Sequence, residues 1–233
     1  MPILQRSEDH PLRSIHDHTA RNIRYRTAAE SLERRLQESA TGTERDLLEQ
    51  NCVSIHDPSI PIAATGFLLN TFGFVLTCLH VVDHFLSNPQ KVRDYRVKER
   101  DGSLSEIDPS FFAYDQENDL AILRARRGTT RVPRVYFSKR ELTPGEDLHY
   151  YSFKGENPVY HLGKVQDTSE PGIFTFSGYG EPGYSGSALF DNQGKYVGTL
   201  FGKVQVNGKL HIRARKAHIP YSLVEEIIAN LKR

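Results

Sequence analysis

From Cys52 onward, short runs of β-branched and aromatic residues alternate with Gly, Pro, Asn and Asp: CVSI, TGFLL, GFVLTCLHVV, YRVKE, LAILRA, LHYYSF, GIFTFS, SALF, YVGTLFG and LHIRA. Many short apolar runs broken by turn residues predict a mainly β domain, a sandwich or barrel. Asp101-Gly102, Asn192-Gln193-Gly194 and Asn207-Gly208 are the predicted hairpin turns. The pattern changes at both ends of this region. Between Ser14 and Gln50 the residues are helix formers, with apolar Ile23, Ala28, Leu32 and Leu36, then Leu47 and Leu48, separated by Thr41-Gly42-Thr43. That spacing predicts two amphipathic helices, with Glu30, Glu33, Arg34 and Arg35 on a solvated face. The closing stretch IPYSLVEEIIANLKR sets Leu223, Ile227 and Leu231 on one side of a C-terminal helix. The chain therefore divides into a helical extension over 1–50 and a β domain over 51–233.

Composition narrows the partners. With 233 residues, 38% hydrophobic and 25% charged, the chain has ordinary globular usage. A net charge of +1, from 30 Lys+Arg against 29 Asp+Glu, gives no global attraction to nucleic acid or a membrane surface. The two cysteines, Cys52 and Cys78, are too few for a disulfide framework and read as buried thiols in a reducing compartment. The opening MPILQRSEDH carries acids where a signal peptide has its apolar stretch, and no run of about 18 apolar residues occurs. A cytoplasmic location is the expectation.

The chemistry-bearing stretch is GEPGYSGSALF, where Ser185 stands among Gly180, Gly183 and Gly186. A serine hydroxyl is a poor nucleophile until a base takes its proton. His80, where the apolar run GFVLTCLHVVD meets a polar loop, is the candidate base. Asp119, in NDLAIL, is the candidate carboxylate that would orient the imidazole, with Asp115 and Glu117 as nearby rivals. Singly, each reads as a structural residue. Together they fall in the order His, Asp, Ser, which separates one class of serine hydrolase from the others.

The segments TCLHVVD, NDLAIL and GYSGSAL resemble the histidine, aspartate and serine motifs of the trypsin-like serine peptidases, most of all the intracellular and bacterial branch with HtrA-like or V8-like features. KAHIPYSLVEEII is similar to the stretch that opens the last helix of HtrA-like proteases. The resemblance implies two six-stranded β-barrels meeting near 127–133, with the site in the cleft between them. It implies a serine endopeptidase acting on a protein or peptide substrate, with catalytic His80, Asp119 and Ser185 and an oxyanion hole made by the N–H groups of Gly183 and Ser185. No metal or organic cofactor is expected. The substrate pocket would be walled by Tyr179 to Pro182, by Leu200, Phe201 and Gly202, and by the strand around Lys216 and His218. Either of the last two could favour an acidic substrate residue.

The sequence departs from the pattern in several places. Tyr184 replaces the aspartate that pairs with a new N-terminal amine in vertebrate-type trypsins, and Val81 replaces a disulfide cysteine. The sequence reaches Arg233 directly after the predicted last helix, and the PDZ domain that continues HtrA proteases is not expected. The extra segment lies at the other end, and residues 14–50 are the expected site for a regulatory partner or for oligomerisation. The glycines of SGYGEPGYSG make the nucleophile loop permissive, so a partner that orders it could raise a low basal activity. Arg124, Arg126, Arg127, Arg131 and Arg134 cluster after the acid strand, but no base-stacking motif accompanies them, and nucleic acid stays a minor reading. The rival function is a catalytically silent peptide-binding module on the same fold.

Overall fold

A computed structural model describes residues 49–57, 63–70, 72–126, 135–155 and 157–231. The predicted helices over 14–50 fall almost wholly outside these residues, as does the junction at 127–133; only a helical end at 49–51 is described. The first six strands are β1 (Cys52–His56), β2 (Ala64–Leu68), β3 (Phe74–Cys78), β4 (Arg96–Lys98), β5 (Leu104–Asp115) and β6 (Leu120–Arg126). They close an antiparallel barrel in the order β1-β2-β3-β6-β5-β4. A second barrel, in the order β10-β11-β12-β9-β8-β7, is built from β7 (Asp147–Lys154), β8 (Asn157–Asp167), β9 (Ile173–Ser177), β10 (Ala188–Phe190), β11 (Tyr196–Val206) and β12 (Lys209–Lys216). The chain is thus mainly β, with a short α1 (His84–Ser87) and a C-terminal α2 (His218–Leu231).

Why β3 reads as an unbroken apolar run follows from its two faces. Val75 points into the first barrel's core with Val53, Ile55, Leu68, Val97 and Leu123. Phe74 and Leu76 point the other way, into a second core that also holds Phe67, Tyr151, Phe153, Phe190, Tyr196, Leu223 and Ile227. Burial on both faces replaces alternation with continuous hydrophobicity. This second core joins the barrels and seats α2 through Leu223 and Ile227, the face expected from the sequence. Phe67 of the first barrel meets Phe190 of the second edge to face at 5.3 Å between centroids. The second barrel has its own core of Leu148, Tyr150, Val165, Phe174, Phe176, Leu189 and Ile212.

The expected hairpin at Asn207-Gly208 joins β11 to β12, with Val206 opposite Lys209. Arg124 and Arg126 pair with carboxylates of the neighbouring β5, Arg124 with Asp108 at 3.5 Å and Arg126 with Glu106 at 3.8 Å. Arg127, Arg131 and Arg134 lie outside the described residues. No helix among the described residues is long and apolar enough to cross a membrane.

Candidate active site

β3 ends at Cys78, and the chain then tightens into a 3-10 turn over Leu79–Val81 that buries Leu79 and exposes His80. Asp119 stands in the turn before β6 with φ at 56°, a left-handed conformation that Asp tolerates better than most residues and that clusters at functional sites. Both its carboxylate oxygens are spent on His80. Oδ2 lies 2.7 Å from the ring Nδ1 and Oδ1 accepts the His80 main-chain N–H at 2.9 Å. The Leu79 N–H bonds to the Asp119 carbonyl at 3.1 Å, so ring and acid form one unit. The hydrogen bond to Asp119 pushes the His80 pKa above its ordinary value, against the pull of burial, with the charges of Asp119 and Asp83 adding to the rise. The rival acids are elsewhere: Asp115 is bonded to the main chain and side chain of Asn118, and Glu117 is exposed.

The serine segment is held by its main chain. Glu181-Pro182-Gly183-Tyr184 makes a turn closed by the Tyr184 N–H on the Glu181 carbonyl at 3.1 Å. Pro182 and Gly183 suit its second and third positions, and Gly183 has φ at 97°, which marks a type II turn and sets the direction of the Gly183 N–H. Among the described residues neither the Gly183 nor the Ser185 N–H has a protein acceptor. The carbonyls on the other side are engaged: Thr65 Oγ1 donates to Gly183 O at 2.8 Å and Thr65 N–H to Ser185 O at 3.2 Å. Ser187 is buried and bonds to Tyr184 O and to Ser152, a structural hydroxyl. Tyr184 is buried among Tyr179 and His161, so ring packing secures this loop where an ion pair would in vertebrate-type trypsins. The loop is formed in this structure, its permissive backbone held by the turn chemistry of Pro182-Gly183 and by the hydroxyl of Thr65.

Gly186 has φ at 92°, and a Cβ there would stand 2.0 Å from Thr65 O and 2.5 Å from Thr77 Oγ1. Gly186→Ala should therefore cost about 2–4 kcal/mol, from backbone strain and overpacking together, read as a lowered denaturant midpoint. An unchanged midpoint would contradict this close approach.

The Ser185 hydroxyl makes no hydrogen bond to His80 among the described residues. The two segments nonetheless meet around Cys78. Its buried thiol donates to Leu200 O at 3.2 Å and lies beside the Gly186 N–H, while its sulfur is within 4.8 Å of ligand atoms of His80 and Asp119. Period-2 alternation sets Cys78 and His80 on one side, and they do lie together, although a 3-10 turn and not a continued strand brings His80 there.

The expected pocket is only partly gathered. A Cβ on Gly180 would meet Ile212 Cδ1 at 2.7 Å and Lys203 Cε at 3.3 Å, so the wall from Tyr179 to Pro182 lies against β11 and β12 just beyond Gly202. Leu200 points into the second barrel's core, and Phe201, at a bulge, lies beneath the guanidinium groups of Arg213 and Arg215 at 5.2 and 4.5 Å. Tyr179 is exposed, its hydroxyl on Glu181. Lys216 and His218 are not part of this group. Register sets Lys216 opposite Gly198, its ammonium binds Glu141 at 3.3 Å and Thr168 O at 3.1 Å, and with exposed His218 it lines a separate cavity beside Ser138 and Val197. The sequence reading also passed over Thr65, whose signal is a polar side chain inside a buried strand, and Arg215, which reaches Glu117 O at 3.5 Å.

The trypsin-like peptidase domain matches residues 64–198, more than half of the chain. No curated protein sequence matches it. Among solved structures, the chain is similar to Rv3671c of M. tuberculosis in an inactive form, at 19% identity and a TM-score of 0.64, covering 82% of this chain and 96% of that one. The active form of Rv3671c protease gives 20% and 0.62, covering 79% and 83%. The serine endoprotease of Yersinia pestis gives 17% and 0.64, covering 82% and 68%. At these identities the likeness is one of fold, and it agrees with the two closed barrels. The domain match and the barrels together establish that the chain belongs to the trypsin-like peptidase family.

Proposed function

We propose that this protein is a serine endopeptidase that cleaves protein substrates through an acyl-enzyme. Ser185 Oγ attacks the scissile carbonyl and its proton passes to His80 Nε2; the carbon–nitrogen bond then breaks as His80 returns that proton to the leaving amine, and water releases the acyl group by the same route. Asp119 holds the ring so that Nδ1 carries the proton and Nε2 the lone pair. The Gly183 and Ser185 N–H groups stabilise the oxyanion. The observation that carries the reading is the two-point grip of Asp119 on His80, at 2.7 and 2.9 Å, beside a turn that leaves those two N–H groups unengaged. Contacts between nucleophile and base often tighten only when substrate binds, so the open Ser185 hydroxyl is compatible with this role.

The primary pocket, on this proposal, lies between Tyr179–Pro182 and Leu200–Gly202. An acidic preference would rest on Lys216, whose ammonium also binds Glu141, or on the exposed His218. A regulatory partner on residues 14–50 would raise a low basal activity by favouring the formed conformation of the nucleophile loop. A fluorophosphonate probe tests the reading: it should label wild type on Ser185 alone and leave Ser185→Ala and His80→Ala unlabelled. A folded wild type that takes no label would leave the silent peptide-binding module.

A further inference from the structure

Cys78 has no part in the proposed hydrolysis, yet its sulfur stands with a ring nitrogen of His80 and a carboxylate oxygen of Asp119, all within 4.8 Å of one another. Thiolate, imidazole and carboxylate are the three side-chain ligand types that zinc takes. We propose that Cys78, His80 and Asp119 form a binding site for a thiophilic divalent cation such as zinc, and that its occupation stops hydrolysis. The inhibitory half of this proposal rests on the function proposed above; the binding half does not.

The geometry needs only a small adjustment. Bonds of about 2.3 Å to sulfur and 2.0–2.2 Å to nitrogen and oxygen require ligand atoms about 3–4 Å apart. The His80 side chain is 45% exposed and Asp119 26%, so an ion from solvent meets these two ligands first, with the buried Cys78 sulfur beneath them. Cys78 is fully enclosed, and its pKa is held well above the ordinary thiol value by burial first and by the Asp119 charge second, with the Gly186 N–H and Arg215 working the other way. The free thiol is therefore inert. A divalent cation reverses the local electrostatics and displaces the thiol proton to solvent, and thiolate, carboxylate and cation then sum to zero charge. Arg215, near enough to Asp119 to feel its charge, opposes a second cation, which suits an ion that comes and goes with its concentration.

The base is lost whichever ring nitrogen coordinates. If Nε2 is taken, its lone pair is the bond to the metal. If Nδ1 is taken, the imidazole proton moves to Nε2, which then has nothing to accept the Ser185 proton with. Water or hydroxide completes the fourth position.

The test uses the full-length chain with a phosphine reductant, with cobalt(II) as a spectroscopic stand-in and zinc as the inhibitor. Wild type should develop a near-ultraviolet thiolate-to-cobalt charge-transfer band at one equivalent, and Cys78→Ala and Cys78→Ser should not. Zinc should inhibit wild-type peptide cleavage reversibly on adding a chelator. The half-inhibitory concentration should rise at least about a hundredfold in Cys78→Ala, more than the loss of an outer partner of a metal ligand usually costs. A cobalt spectrum without the thiolate band, or equal zinc sensitivity in wild type and Cys78→Ala, overturns the site. A thiolate band in a chain that neither takes a fluorophosphonate label nor cleaves peptides upholds the metal site and overturns the hydrolase.

Discussion

Ser185→Ala should lower kcat by about 10⁶ while leaving thermal stability and peptide affinity near wild type. The size follows from the unit in which the serine works: without the nucleophile, an aligned base has no proton to take, and what remains is the oxyanion site and substrate binding. Stability should hold because the bonds that fix this loop are Thr65 to Gly183 O and Ser185 O, Gly186 N–H to Leu200 O and Tyr184 N–H to Glu181 O, none of which uses the Ser185 hydroxyl. Steady-state cleavage of a peptide, with calorimetric binding of the same peptide to the variant, separates the two quantities. Cleavage at the wild-type rate would remove Ser185 from the role of nucleophile. A collapse of the melting midpoint together with activity would mean that the hydroxyl serves the fold.

The parts of this molecule that the sequence made legible are those fixed by local chemistry. Asn207-Gly208 dictates its own hairpin, and the spacing of Leu223 and Ile227 the buried face of α2. The apolar run through Phe74 to Cys78 announced a strand, and the order of His80, Asp119 and Ser185 announced which class of site to look for. What stayed hidden lies where non-local pairing decides. How far Lys216 sits from Gly202 is set only by the register of β12 against β11, Leu200 opposite Ala214 and Gly198 opposite Lys216. Thr65 was illegible for the same reason: its donors and acceptors, Gly183, Ser185 and Phe153, are all far away in sequence. Nothing in the local string Ala64-Thr65-Gly66 distinguishes a threonine that clamps a nucleophile loop from one that fills a strand.

Asp119→Asn isolates what the charge and the second oxygen of that side chain do. Asn tolerates the positive φ of this position about as well as Asp, so the turn and the fold should survive. The amide has one acceptor where the carboxylate has two. With its oxygen kept on the His80 main-chain N–H, its NH₂ group faces Nδ1 and donates to it. Nδ1 then holds the lone pair and Nε2 the proton, the tautomer that cannot receive a proton from Ser185. The expected loss in kcat is about 10⁴. A pH signature should accompany it. In wild type the hydrogen bond to Asp119 is the largest influence raising the His80 pKa, ahead of the opposing effect of burial, so the neutral base accumulates only as pH rises through a value above the ordinary histidine range. Without that bond and that charge, burial dominates and the imidazole loses its proton at lower pH. The acidic limb of kcat/KM, measured with a chelator present, should therefore move down in pH in the variant, and the ratio of wild-type to variant activity should narrow as pH falls. A 10⁴-fold loss with an unmoved limb would mean that Asp119 orients the ring without setting its charge, and near-wild-type activity would overturn its role altogether.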